Sequence, residues 1–140
     1  MVVDDDESIR ESVRMVLEAE GYVVLLACDG LAALRVLEQR LAATVVLTNH
    51  NMPRLDGPGL IDFILRTPAL AARTMVVYMT AGNRVISPTV AFELDALHIP
   101  VLRKPFDIDD LVDVIDAAAA RLAAILPNDA DPGDGAQCSS

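Results

Sequence analysis

The chain alternates between two hydrophobic periods, and this alternation marks out its elements. Short Val- and Leu-rich runs lie at Met1–Val3, Tyr22–Ala27, Ala43–Thr48, Thr74–Thr80 and Ile99–Arg103, most without a regular polar alternation. Such runs predict parallel strands covered on both faces. Helical stretches lie between them. In the first, Ile9, Val13, Val16 and Leu17 share a face, Ser8 with Glu11 forms a capping-box pattern, and Gly21 is placed to end the helix. A second runs from about Leu31 to Arg40, with Leu31, Leu34, Val36 and Leu37 apolar. A third begins near Asp56–Gly57 and carries Leu60, Ile61, Ile64 and Leu65. A fourth starts at Ser87-Pro88, a cap residue followed by proline at the first helical position. A fifth starts at Asp107 and carries Leu111, Val114, Ile115, Ala118 and Leu122.

Five strands alternating with five helices predict an α/β fold: a three-layer, doubly wound, five-stranded parallel sheet. In such sheets ligands bind at the carboxyl ends of the strands. Residues 1–126 form the expected domain. From Pro127 the sequence "PNDADPGDGAQCSS" has acids, Pro and Gly but no apolar periodicity, so a disordered tail is expected over 127–140.

Composition narrows the function classes. With 140 residues one domain is expected, and 53% apolar but only 4% aromatic residues, with no Trp, predict a core of Ala, Val, Leu and Ile. A net charge of −10 argues against direct nucleic-acid binding, which needs a basic surface, and against an anionic membrane. No uncharged run approaches the ~20 residues of a transmembrane helix. No basic start leads into an apolar signal core either. Cys28 and Cys138 lack metal or redox spacing, so a reduced, cytoplasmic setting is expected.

The predicted strand ends gather chemistry. Strand one ends in "VVDDDES", with Asp4 and Asp5 at the rim, and strand three ends at Asn49, followed by His50 and Asn51. Strand four ends in "YMTAG", delivering Thr80, and strand five in "LRKPF", delivering Lys104. Adjacent carboxylates in one cleft repel unless a cation balances them. Mg²⁺ suits such oxygen ligands and prefers one or two carboxylates with a phosphate oxygen. Lys104 and Thr80 would supply a point charge and a hydrogen bond to the remaining phosphoryl oxygens.

In order, "VVDDDES", "NMPRLDG", "MTAG" and "VLRKPF" make the chain resemble the receiver domains of two-component response regulators over about residues 1 to 126. The resemblance implies a CheY-like, flavodoxin-like fold with strand order 2-1-3-4-5. It implies a phosphoryl group passed from a histidine kinase, or a phosphotransfer protein, to an Asp at the end of strand three. Asp4 and Asp5 match the acidic pair, with Asp5 a direct Mg²⁺ ligand, and Asn51 would offer its backbone carbonyl. Thr80 and Lys104 match the residues that sense the phosphoryl oxygens. The implied output surface is the face of the fourth helix, fifth strand and fifth helix.

Three departures stand out. The phosphoacceptor position, four residues before Pro53, is Asn49, and a neutral amide is a far poorer nucleophile than a carboxylate. Asn49 can still offer Oδ1 to the metal, with Mg²⁺ affinity expected to fall by roughly one to three powers of ten. The position three residues before Lys104, commonly aromatic in the family, is Val101. Only Met1 to Val3 precede Asp4, so either the first strand is clipped or the start lies upstream.

The leading expectation is therefore a single-domain receiver module of a phosphorelay that does not itself accept phosphate. Asn49 is either natural, making a pseudo-receiver, or an engineered Asp→Asn change. A third reading is one module of a longer regulator or hybrid kinase, and a homodimer is a further candidate assembly. The alternative is a small aspartate-nucleophile phosphohydrolase of the haloacid-dehalogenase-like type, with Asp4 as nucleophile and Asp6 as acid/base. It leaves Met-Pro and Lys-Pro-Phe unexplained. The remaining polar residues have simpler expectations: His50 as a solvent-facing loop residue, His98 as a helix-end residue and Cys28 as a small apolar filler.

Overall fold

A computed structural model describes residues 1–81 and 87–126. The expected tail at 127–140, with Cys138, lies outside the described residues, as does Gly82 of "MTAG". In chain order the elements are β1 (Val2–Val3), α1 (Glu7–Ala19), β2 (Leu26–Ala27), α2 (Gly30–Gln39), β3 (Thr44–Asn49), α3 (Gly57–Arg66), α4 (Pro68–Ala71), β4 (Thr74–Ala81), α5 (Pro88–Ala96), β5 (Val101–Lys104) and α6 (Ile108–Ile125). The strands form one parallel sheet in the order β2-β1-β3-β4-β5, as expected.

The unbroken apolar strands follow from two-sided burial, because successive side chains enter opposite cores. Val3, Val46, Val76 and Tyr78 join the cluster under α2, α3, α4 and α5, with Leu34, Leu60, Ile64 and Leu94. Val2, Leu47, Val77 and Met79 join the other, with Val13 and Leu17 of α1 and Leu111, Ile115 and Ala118 of α6. The helices thus divide between the two faces.

Several boundaries differ from the sequence expectation. The helix expected near Asp107 is α6 and the one expected at Ser87-Pro88 is α5, because the short helix α4 had no long apolar period to announce it. The expected capping box at Ser8 and Glu11 does not form. Asp6 caps α1 instead, its carboxylate accepting from the N–H groups of Ser8 and Ile9, while Glu11 pairs with Arg14. Asp4 closes β1, so the chain enters the helix within two residues and an aspartate reaches the first-turn donors before Ser8 can.

β2 is Leu26–Ala27 rather than Tyr22–Ala27, because its ladder partner β1 offers only Val2 and Val3. β3 ends at Asn49 as expected, one residue past its apolar run, and β4 and β5 likewise run one residue past theirs, to Ala81 and Lys104. Gly21 ends α1 as expected, with φ +94. Its N–H donates to the Glu18 carbonyl and that of Tyr22 to the Leu17 carbonyl, closing the last turn.

Candidate functional site

Parallel strands all present their carboxyl ends at one edge, so the register there decides which side chains meet. Val3 lies opposite Thr48, which brings Asp4 level with Asn49 on adjacent strands. Ala81 lies opposite Lys104 at the ends of β4 and β5. Asp4 is fully buried, as a carboxylate can be only when its oxygens are satisfied. Its Oδ1 accepts from the Asp6 N–H at 2.9 Å and its Oδ2 from Lys104 Nζ at 3.0 Å, while its carbonyl accepts from Arg10 at 2.7 Å. Lys104 Nζ also donates to Asn49 Oδ1 at 3.1 Å, so one ammonium bridges the ends of β1 and β3.

Asn49 uses both ends of its amide. Its Nδ2 donates at 3.0 Å to the backbone carbonyl of Asn51, whose side chain faces solvent. Asp5 is exposed at the same rim. Asp4, Asn49, Lys104 and the Asn51 carbonyl therefore form one connected cluster. Thr80 is buried near the end of β4 and shares its pleat with Tyr78, on the side of the α2–α5 core. It makes no hydrogen bond to Asp4, Asn49 or Lys104. Asp6 caps α1 through its Oδ1 alone. Among the described residues no group of three or more His, Cys, Asp or Glu side chains could hold a metal ion.

The loop from β3 to α3 is held closely. The Gly57 N–H donates to the His50 carbonyl at 2.9 Å, and a Cβ on Gly57 would sit 2.4 Å from the Asn49 carbonyl oxygen. The Gly30 N–H donates to the Leu55 carbonyl at 3.1 Å, where a Cβ would come within 2.6 Å of the same oxygen. Arg54, at φ +68, turns back to Asp29: its Nε donates to Asp29 Oδ2 at 2.7 Å and its terminal nitrogen to the same oxygen. The other oxygen of Asp29 caps α2 through the Ala32 N–H at 2.8 Å. Burial pushes the Asp29 carboxyl up. The Ala32 N–H and the Arg54 guanidinium outweigh it, leaving the carboxyl below its ordinary 3.8.

Two minor expectations change. His50 is partly buried rather than solvent-facing, its ring edge-on to Tyr78 with centroids 5.5 Å apart, because β3 extends to Asn49 and carries His50 over the sheet. Cys28 is exposed rather than a core filler, since the shortened β2 ends before it. His98 does end a helix, at φ +56 after α5, with its carbonyl accepting from Arg121. Asp29, Arg54 and Gly30 were not singled out from the sequence. The Asp-Gly pair after β2 was the signal available.

The chain matches the response regulator receiver domain over residues 1–116. It is 36% identical over 126 residues to the response regulator MprA of Mycobacterium sp. (strain KMS), an alignment covering 90% of this chain and 49% of the relative. It is 37% identical over 136 residues to MprA of Mycolicibacterium vanbaalenii, covering 97% and 53%. The chain thus spans about half the length of the curated relatives it matches. Among solved structures, a CheY-like receiver domain protein from Methanospirillum hungatei JF-1 superposes with TM-score 0.71 at 26% identity, covering 89% of this chain and 94% of that one. The signal receiver domain of an HD domain-containing protein from Pseudomonas fluorescens Pf-5 shares the fold, with TM-score 0.76 at 24% identity over 88% and 94% of the two chains.

Proposed function

The chain belongs to the response regulator receiver family of two-component signal transduction, and from that premise we propose that residues 1–126 are a phosphorelay receiver module whose phosphoacceptor position is filled by Asn49. The supporting observation is the placement of Asn49: it ends β3 level with buried Asp4, and Lys104 bridges the two. A receiver Asp at that point would be the nucleophile, with Lys104 placed to neutralise a transferred phosphoryl group. The Asn49 amide lacks the negative charge and the nucleophilic oxygen that acyl phosphate formation requires.

The donor set fits Mg²⁺. Carboxylates of Asp4 and Asp5, the Asn51 carbonyl and Asn49 Oδ1 are hard oxygen ligands at one rim. When bound, the ion would neutralise charge on phosphoryl oxygens. Asn49 works against it in two ways. It removes a carboxylate, and its Nδ2 occupies the Asn51 carbonyl while the Lys104 ammonium already balances Asp4. Affinity weakened by about one to three powers of ten follows. Thr80, buried on β4, is the phosphoryl-sensing hydroxyl in this reading, reaching its role only when the site fills.

The partner on the input side is a histidine kinase or phosphotransfer protein. A groove of about 600 Å³ between α1 and Phe106 reaches Lys104, and in this reading the partner would approach along it. The output face is α5–β5–α6, where Phe92, Val101 and Ile108 leave apolar surface in solvent. It would meet a downstream protein or a second copy of the chain. In this reading the module acts in the cytoplasm; separately, among the described residues no helix is long and apolar enough to cross a membrane.

The deciding experiment is incubation with a small phosphodonor and Mg²⁺, read by intact mass. The unsubstituted chain is expected to gain nothing, and the Asn49→Asp variant one acid-labile phosphate. Stoichiometric acid-labile phosphate on the unsubstituted chain would overturn the assignment.

A further inference from the structure

Of the ligands assigned to the metal, the Asn51 carbonyl alone is backbone, so its direction depends on the path of the loop rather than on a rotamer. That loop leaves β3 at His50 and enters α3 at Gly57, and its two ends are tied together by the Gly57 N–H on the His50 carbonyl. A second tie reaches across to a different element. Arg54 and Leu55, three and four residues after Asn51, are held against the start of α2 by the Asp29 carboxylate and the Gly30 N–H. The Asp29 side chain is 1% exposed and fixed by capping α2, whereas the Arg54 side chain that pairs with it is 60% exposed. Arg54 holds the left-handed backbone at φ +68, a conformation that residues with a Cβ rarely adopt.

We infer that Asp29 and Arg54 are positioning residues for the metal site: their ion pair anchors the β3–α3 loop to α2 and so aims the Asn51 carbonyl at the cation. This rests on the metal-site reading above. The Gly30–Leu55 bond sets how near the loop lies, and the guanidinium on Asp29 sets its sideways position, because Nε and a terminal nitrogen converge on a single oxygen. Asn51 lies between this anchor and the Asn49 amide, and its carbonyl has no other hydrogen bond to fix it among the described residues. Neither Asp29 nor Arg54 would touch the metal.

Charge alone makes a different forecast from positioning. Removing the Arg54 cation near an acidic rim would strengthen Mg²⁺ binding by Coulomb attraction, and removing the Asp29 anion would weaken it. The experiment uses the Asn49→Asp chain as parent and compares Arg54→Asn, Asp29→Asn and the double variant. Asn tolerates positive φ, so the first change keeps the backbone. The second keeps a side-chain oxygen to cap α2. Mg²⁺ is titrated by backbone amide NMR, with the melting temperature measured on the same samples.

Positioning predicts that all three variants bind Mg²⁺ more weakly, by about tenfold, with the double no worse than the weaker single. Unchanged or tighter binding by Arg54→Asn overturns the inference, as does a lowered melting temperature with unaltered affinity. Absence of Mg²⁺ binding by the Asn49→Asp parent overturns the metal-site reading itself, and this inference with it.

Discussion

Around the end of β3 glycines pack directly against backbone carbonyls, whereas around α5 and β5 the chain leaves apolar side chains in solvent. α3 buries Gly57, Leu60, Ile61 and Ile64; the loop before it lies so close to Gly30 of α2, and Gly57 so close to the end of β3, that neither glycine has space for a methyl group. α5 buries only Leu94; Phe92 is 74% exposed, and Leu97 and Val101 are also in solvent. The difference follows the proposed division of labour. A metal–phosphoryl pocket needs ligands held in fixed geometry, and close packing of glycine against carbonyls supplies that. A surface that meets a partner needs exposed apolar area and is not required to be rigid.

The largest expected effect tests the tight side. Gly57→Ala pushes a methyl against the Asn49 carbonyl and is expected to cost about 2–3 kcal/mol in urea unfolding. A loss below ~0.5 kcal/mol would show that the loop gives way easily, and the contrast between the two regions would collapse. A smaller effect comes from the Asp29 carboxyl. Its folded value lies below the ordinary 3.8, so its contribution to stability is present above that value and is lost as pH falls through the folded one. Urea midpoints measured down to about pH 2 should fall more steeply for the unsubstituted chain than for Asp29→Asn. Parallel curves would mean the ion pair adds nothing. The smallest effect is expected on the open side. Phe92→Ser should leave stability within ~0.5 kcal/mol, because the ring is already in water. A larger loss would place Phe92 in the packing of the fold rather than on a free face.

The positions that sequence reading located well are those whose chemistry is local to a strand end. Asp4, Asn49, Thr80 and Lys104 each follow an apolar run, and all lie at the carboxyl edge of the sheet. Within that edge the structure divides them. Asp4, Asn49 and Lys104 are joined by hydrogen bonds, while Thr80 sits on the opposite pleat. The helix cap was misplaced because Asp6 and Ser8 are both good cap residues, and only the short link from β1 decides between them. α4 was missed because a four-residue helix carries too little periodicity to register.

By itself the sequence determined the alternation of strands and helices, the two-sided burial of the strands and the kind of residue at each strand end. Those properties follow from local period and residue type. Only the tertiary structure decided that Lys104 reaches Asp4 and Asn49, respectively 100 and 55 residues away, and that Arg54 returns to Asp29 across 25. Hydrophobic period tells which face a side chain takes, but not how far one strand slides past its neighbour. That register, fixed by packing across the whole sheet, turns four separate strand ends into one rim and gives Asn49 its neighbours.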